Sequence, residues 1–349
     1  MDTLTHALSG ALVARLTAGR EAPPRTIPRR VAAGFFACAF PDLDFVVGWL
    51  GPVEYLLHHR GATHSLLLLP FWALACAWLL AKVLREPGGW RALYGACAWG
   101  IGAHIAGDLI TSYGTIIFAP VSDARFSWGT TFIIDLWFSG IIVLGLATSA
   151  LWRRTRVPAA AAVALVVAYV GFQGLLRDRV LEFGRDYAQA RGMRDVQIEA
   201  YPRPVSPFNW TVFVSDEREH RFAHVNLVRE APRRRQPGDG FVARLEAPYQ
   251  PLAAARWESR RRYGRNAAEE ALGRAAWESP ALGFLRWFAE RPAFEAVTEG
   301  STCVWFIDLR FVTPGRDWLP FRFGACRPQP QAPWQAYRRL DEAVRMPIR

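Results

Sequence analysis

The first half of the chain is built of apolar stretches of membrane length that are broken by ionisable residues: His6, Asp42, Asp44, His59, His64, His104, Asp108 and Asp135. An ionisable group at the centre of a bilayer helix costs roughly 2.5 to 3.5 kcal/mol on insertion scales, so such groups pair with one another, ligate something or line a cavity. The chain is thereby restricted to folds in which several helices turn polar residues towards a shared interior.

Composition adds a second region. The chain has 349 residues, 51% of them hydrophobic, with 15 Trp and 22 Phe, yet its mean hydropathy is only +0.05. A wholly embedded chain scores higher and a soluble one rarely carries so many apolar runs, so two parts with different solvents are expected. The net charge of +11 comes almost entirely from arginine, with Lys82 the one lysine. The arginines are scattered through loops and the C-terminal half without a basic block, and no nucleic-acid partner is expected.

Spanning a bilayer takes about 20 residues, and segments 31–50, 65–84, 92–118, 130–152 and 157–176 qualify, with 3–18 a shorter sixth. The expected fold is a membrane all-α helical bundle of about five or six membrane segments (1–177), followed by a soluble α+β domain (178–349). Arg15, Arg20, Arg25, Arg29 and Arg30, then Lys82, Arg85 and Arg91, then Arg153, Arg154 and Arg156 mark three alternating loops as cytoplasmic. Parity then puts the polar residues at the outer ends of their segments and the C-terminal domain on the extracytoplasmic side of a bacterial inner membrane. Asp2, Thr3 and His6 do not fit a signal peptide, so the first segment is expected to stay in the mature protein.

In 178–349, strands are expected at 196–201, 210–215, 221–228, 303–312 and 318–323, and helices at 265–278, 281–290 and 334–345. Cys38, Cys76 and Cys97 lie in apolar spans as small hydrophobes. Cys303 and Cys326 can pair only in an oxidising compartment. His220, His224, Asp216 and Glu217 have the look of a turn between strands rather than of a site.

Chemistry concentrates before residue 140. His104 and Asp108 are four apart, on one helix face, where an imidazole and a carboxylate can reach one ion; a His–Asp hydrogen bond within the bundle is the alternative. Asp42 and Asp44 follow Pro41, where broken helix lets both turn inward as metal ligands, or one as ligand and one as general base; a polar helix end is the alternative. In His58-His59-Arg60-Gly61-Ala62-Thr63-His64, His64 suits a ligand, His59 a supporting or substrate-contacting group, and Arg60 an anion clamp.

These residues together resemble a known family, the membrane-bound metal-dependent hydrolases of the YdjM type, also described as LexA-binding inner-membrane proteins. The matching residues are Met1-Asp2-Thr3-Leu4-Thr5-His6 with Gly10, Pro41 to Asp44, His59 to Ser65, His104 to Asp108 continuing into Thr111, Tyr113 and Gly114, then Pro120, Ser122, Arg125 and Phe132 to Asp135. They cover roughly residues 1–140, and their order and spacing recur together. The family is distantly similar to zinc-dependent phospholipase C and P1-type nucleases. The resemblance implies a metal held by Asp42 or Asp44, His64, His104 and Asp108, with Asp108 bridging to a second ion held also by His6. Because no histidine lies between His104 and His220, one or two ions are expected, zinc before manganese or iron.

The implied activity is hydrolysis of a phosphoester or lipid-type substrate by metal-activated water, with Asp42 or Asp44 as base and Arg60 or Arg125 on the phosphoryl oxygen. The partners expected are the lipid bilayer, a small-molecule or lipid substrate, and a protein bound through 178–349. A different class remains open: a non-catalytic membrane scaffold or regulator with a structural metal site. A transporter is the third reading, and the lack of an evident internal repeat counts against it.

Overall fold

The computed structural model describes residues 1–19, 26–298, 302–316, 319–341 and 344–348; Arg20 and Arg25 lie outside the described residues. The chain divides into two compact units, Met1–Val46 with His58–Leu175, and Val47–Leu57 with Leu176–Arg349.

The N-terminal unit is helical. Helix α1 (Thr3–Leu16) starts where the Asp2 carboxylate accepts from the Thr5 amide, the usual way of satisfying an orphan donor at a helix start. Helix α2 (Ile27–Ala39) runs into a 3₁₀ segment, Phe40–Trp49, that carries Pro41 to Asp44. After α3 (Pro52–His58), all but its last residue assigned to the other unit, and a 3₁₀ turn at Ala62–His64 come α4 (Leu69–Val83), α5 (Gly89–Leu109), α6 (Leu136–Leu151) and α7 (Val157–Ala190), which belongs to this unit as far as Leu175.

Glycines set how closely these helices approach. A Cβ at Gly10 would lie 2.2 Å from the Gly34 carbonyl oxygen, one at Gly34 2.5 Å from that of Gly10, and one at Gly100 2.8 Å from that of Gly34. Helices α1, α2 and α5 therefore meet backbone to backbone, as small residues allow in membrane bundles. Ala33, Ala37, Ala73, Ala77, Leu93 and Ile101 fill the adjoining core, and Leu12, Phe138, Ile142 and Ala162 join α1, α6 and α7.

The expected five or six spans are corrected. Among the described residues, two helices are long and apolar enough to cross a membrane, Ile27–Trp49 and Val157–Ala190, and a third span arises only if Pro52–His64 and Leu69–Val83, bent by 78°, count as one. The reason is length: α1, α4 and α6 have 14, 15 and 16 residues, short of the bilayer core at 1.5 Å per residue. The 92–118 run ends as helix at Leu109, and the chain after it is tied down locally. Trp128 and Thr130 amides close the carbonyls of Leu109 and Ile110, while the amides of Ile116 and Leu66 bond Arg60 and Ile117 carbonyls.

The other unit is β-rich. Strands β1 (Gln197–Pro202), β2 (Asn209–Ser215) and β3 (Glu219–Asn226) form an antiparallel meander, with Ala200 opposite Val212 and Val212 opposite Ala223. After α8 (Phe241–Glu246), short β4 (Gln250–Pro251) pairs parallel to β3, and β5 (Trp257–Arg261) pairs antiparallel to it. Helices α9 (Ala267–Glu278) and α10 (Gly283–Phe288) precede a second sheet, β6 (Pro292–Thr298), β7 (Thr302–Asp308), β8 (Phe323–Arg327), β9 (Gln335–Arg339) and β10 (Arg345–Pro347), in order β10-β9-β8-β7-β6. All of β2 is buried because both its faces are covered. Trp210 and Val212 pack with Leu176 and Val180 of α7, while Phe213 packs with Ala293 and Ile307 of the second sheet.

Three local expectations change here. The 334–345 segment has helical spacing but forms the β9–β10 hairpin (342 and 343 lie outside the described residues), because β8 offers an open edge and Tyr337 packs against Cys303, Trp305 and Cys326. The strand expected over 318–323 starts only at Phe323, residue 318 being outside the described residues. The 303–312 strand stops at Asp308, whose carboxylate accepts from the Arg310 amide and starts a 3₁₀ turn. Cys303 and Cys326, opposite each other on β7 and β8, form a disulfide.

Candidate metal centre

Four elements of the N-terminal unit bring their polar residues to one place. Helix α1 supplies His6, the 3₁₀ segment after α2 supplies Asp42 and Asp44, the loop after α3 supplies His59, Arg60 and His64, and α5 supplies His104 and Asp108. The close approach of α1, α2 and α5 at Gly10, Gly34 and Gly100 is what converts three separate sequence motifs into one cluster.

At its centre, His64 Nε2 lies 2.9 Å from His104 Nε2 and 3.2 Å from Asp108 Oδ2, and His104 Nε2 lies 3.5 Å from the same oxygen. Asp42 Oδ1 is 3.6 Å from His104 Nε2 and 4.0 Å from His64 Nε2. The side chains of His64, His104 and Asp108 are fully buried; Asp42, 14% exposed, is the opening of the group.

The surroundings decide which atoms face inward. His104 Nδ1 is 2.6 Å from the Cys38 carbonyl, which only accepts, so Nδ1 carries the proton and Nε2 presents a lone pair. Thr63 Oγ1 donates to Asp44 Oδ2 at 3.0 Å and accepts from His64 Nδ1 at 2.9 Å. That leaves the His64 Nε2 lone pair facing inward as well. Two imidazole lone pairs and a buried carboxylate oxygen, Asp108 Oδ2, that has no hydrogen-bond partner then face one another. Such an arrangement is repulsive unless a cation is shared among them.

A divalent ion fits. Bonds of 2.0–2.2 Å to four tetrahedral donors place the donors roughly 3.3 Å apart, and Asp42, His64, His104 and Asp108 offer ligand atoms all within 4.8 Å of one another. Mixed imidazole and carboxylate donors suit zinc and its first-row neighbours.

Asp44 stands one layer out. Besides Thr63, it binds His59 Nδ1 at 2.6 Å, takes the Arg60 amide at 2.9 Å and lies 3.4 Å from His64 Nδ1. A carboxylate behind a ligating imidazole orients it and raises its basicity. Of the two aspartates, Asp42 therefore has the ligand position and Asp44 the orienting one. Thr3 Oγ1 donates to Asp42 Oδ2 at 2.7 Å and leaves Oδ1 turned to the histidines.

The other oxygen of Asp108 is crowded with donors: the Met1 α-amino group at 2.5 Å, His6 Nε2 at 3.0 Å and Arg60 Nη2 at 3.0 Å. His6 stacks on His104 with ring centroids 3.7 Å apart, and its buried Nδ1 has no hydrogen-bond partner. His6, Cys38 and His104 form a second group of potential ligands. Arg60, in the left-handed backbone region at φ 62°, directs Nη1 to Thr111 and Nη2 to Asp108. Its guanidinium is thus engaged with the cluster itself.

The remaining candidates lie elsewhere. Asp135 caps α6 through the Trp137 and Phe138 amides and accepts from Tyr169. Arg125 bonds the Tyr113 carbonyl. In the β-rich unit, His220 is held between Ser215 and the Pro292 carbonyl, and burial pushes its pKa down to about 4. Sequence reasoning missed Thr3, Thr63 and the Cys38 carbonyl. The hydroxyls stand inside the motifs and were open to notice, whereas a main-chain carbonyl is common to every residue and has no sequence signal.

Over 175 residues the chain is 25% identical to YfhP of Bacillus subtilis (strain 168), covering 49% of this chain and 52% of that protein, so the match spans about half the relative's length. No solved structure matches the chain. Residues 1–180, which contain every member of the cluster, match the family described as YdjM inner membrane protein, and the chain belongs to that family.

Proposed function

We propose that the N-terminal unit is a membrane-bound, metal-dependent hydrolase that acts on a phosphoester of lipid or other amphiphilic type. The observation that carries the reading is the convergence of His64 Nε2, His104 Nε2, Asp108 Oδ2 and Asp42 Oδ1, four potential ligand atoms within 4.8 Å of one another, with His104 Nδ1 turned away to the Cys38 carbonyl. A bound divalent ion, zinc by donor type, supplies a Lewis acid for the scissile group and lowers the pKa of water towards 7.

The chain's own residues do the rest. His64 and His104 are held in one tautomer by Thr63 with Asp44 and by Cys38. Asp42, at the open side, is placed to accept a proton from an attacking water, its second oxygen anchored by Thr3. His59, 12% exposed and paired with Asp44, is the group of this set left to contact substrate. Arg60 balances the Asp108 charge, so a phosphoryl group would be neutralised by the ion rather than by Arg60. An apolar cavity of about 300 Å³ runs along α5 past Ala103, Gly107 and Ile110, the helix that carries His104 and Asp108, and suits an acyl chain.

One observation favours a second reading, a membrane scaffold with a structural ion. Four protein donors around one point is the pattern of closed structural zinc sites, whereas catalytic zinc keeps one position open. Elemental analysis of the detergent-purified chain beside His104→Ala/Asp108→Ala, coupled to a phosphodiester and phospholipid hydrolysis assay, separates the two. Metal bound with phosphoester turnover, both lost in His104→Ala/Asp108→Ala, supports the hydrolase; metal bound with no turnover of any phosphoester supports the scaffold; no metal after reloading removes both.

The disulfide favours an extracytoplasmic β-rich unit, since such bonds persist in oxidising compartments. In that position it could not meet a cytoplasmic repressor, so the LexA-binding role described for the family would not pass through it.

A further inference from the structure

The β-rich unit has a cleft of about 880 Å³ on the side of β3 and α8, and its lining is dominated by guanidinium groups: Arg233, Arg234, Arg235, Arg244 and Arg256. Glu258 is the one carboxylate lining it among the described residues. Arg233 is paired with Glu246 at 3.0 Å; among the described residues, no carboxylate pairs with the other four. Arg244 goes further, because its Nε is buried and has no hydrogen-bond partner.

His224 also lines the cleft. Its Nδ1 lies 2.8 Å from Thr211 Oγ1, a hydroxyl that accepts from Arg203 Nε at 2.6 Å. Burial and the neighbouring Arg203 push the His224 pKa down to about 3, so the ring is neutral and adds no charge to that of the arginines.

We propose that this cleft is a binding site for a phosphorylated ligand, a phosphomonoester or pyrophosphate group on a small molecule or lipid head. Several unpaired guanidiniums need at least two negative charges to offset them, and a planar fork matches phosphate oxygens in pairs. The volume exceeds what a bare phosphate fills and falls within the range of small-molecule sites. The site is separate in residues and in chemistry from the histidine–aspartate cluster.

The test is calorimetric titration of the full chain in detergent with inorganic phosphate, pyrophosphate and dihexanoyl phosphatidate, each against sodium chloride at matched ionic strength. We expect one saturable site per chain and binding at least tenfold weaker in Arg234→Gln/Arg235→Gln/Arg256→Gln, whose replaced side chains are exposed and whose folding is checked by circular dichroism. Arg244→Lys, which keeps charge but loses the Nε donor, is expected to weaken binding at least fivefold. A tenfold preference for dihexanoyl phosphatidate assigns a lipid headgroup, and equal or stronger binding of pyrophosphate assigns a soluble ligand. Absence of saturable binding, or binding unchanged in both variants (as for an anion at the metal cluster), overturns the proposal.

Discussion

Asp44 illustrates how one side chain can matter without touching an ion. It holds His59, the Arg60 amide and Thr63, and through Thr63 it fixes the His64 ring. Replacing such an orienting carboxylate costs about 10–100-fold in metal affinity. Asp44→Asn should weaken zinc binding by that range in a competitive chelator titration while Asp42→Asn acts directly on the donor set; an Asp44→Asn protein with unchanged affinity would remove the orienting role. Sequence spacing placed His64, His104 and Asp108 among the ligand candidates. It could not rank Asp42 against Asp44, because both follow the same proline and only the 3₁₀ geometry turns one inward and the other towards the His59–His64 loop.

At the scale of elements, the contact of α1, α2 and α5 depends on the absence of side chains at three glycines. Gly34→Ala puts a methyl group 2.5 Å from the Gly10 carbonyl oxygen, and overpacking of this kind costs about 1–3 kcal/mol. A lower unfolding temperature in detergent, with metal content falling in parallel, is the expected outcome, since the same contact assembles the cluster. In the β-rich unit, His220 on β3 is buried and neutral. Its pKa of about 4 in the folded chain lies below the ordinary 6.5, so the unfolded chain takes up the proton first as pH falls. The stabilising contribution is complete above about pH 6.5 and declines towards pH 4, by about 1.4 kcal/mol per pH unit for the one group. Thermal unfolding against pH should show a slope of that sign, to which His224, pushed down to about 3, also contributes, and His220→Gln should reduce it. The β9–β10 hairpin is the element that sequence misassigned: QAYRRLDEAVR has helical spacing, and an unpaired strand edge outweighed it.

For the whole molecule, the disulfide links compartment to fold. If the β-rich unit is extracytoplasmic, peptides containing Cys303 and Cys326 should be recovered covalently linked after non-reducing digestion of protein made in the cell, and a C-terminal alkaline phosphatase fusion should be active. Recovery of two free thiols together with an inactive fusion would place the unit in the cytoplasm and reopen a regulatory role there. The removal of the bond, in Cys303→Ser/Cys326→Ser, should cost about 2–4 kcal/mol of stability, read by denaturant unfolding.

Sequence by itself determined the division into an apolar helical half and a β-rich half, the family, and the residue types from which the cluster is built, because hydrophobic length and ligand spacing along a helix are local properties. It overstated the spans, since apolar length does not reveal where a helix breaks, and α4 and α6 fall short for that reason. Only the tertiary structure decided which donors meet. His6, Asp42, His64 and Asp108 are brought together by glycine contacts between helices far apart in the chain, and the consecutive Arg233, Arg234 and Arg235 share one cleft with Arg244, Arg256 and His224. The run Arg233 to Arg235 is visible locally, but which residues face it, like the meeting of the donors, depends on the packing of segments apart in the chain.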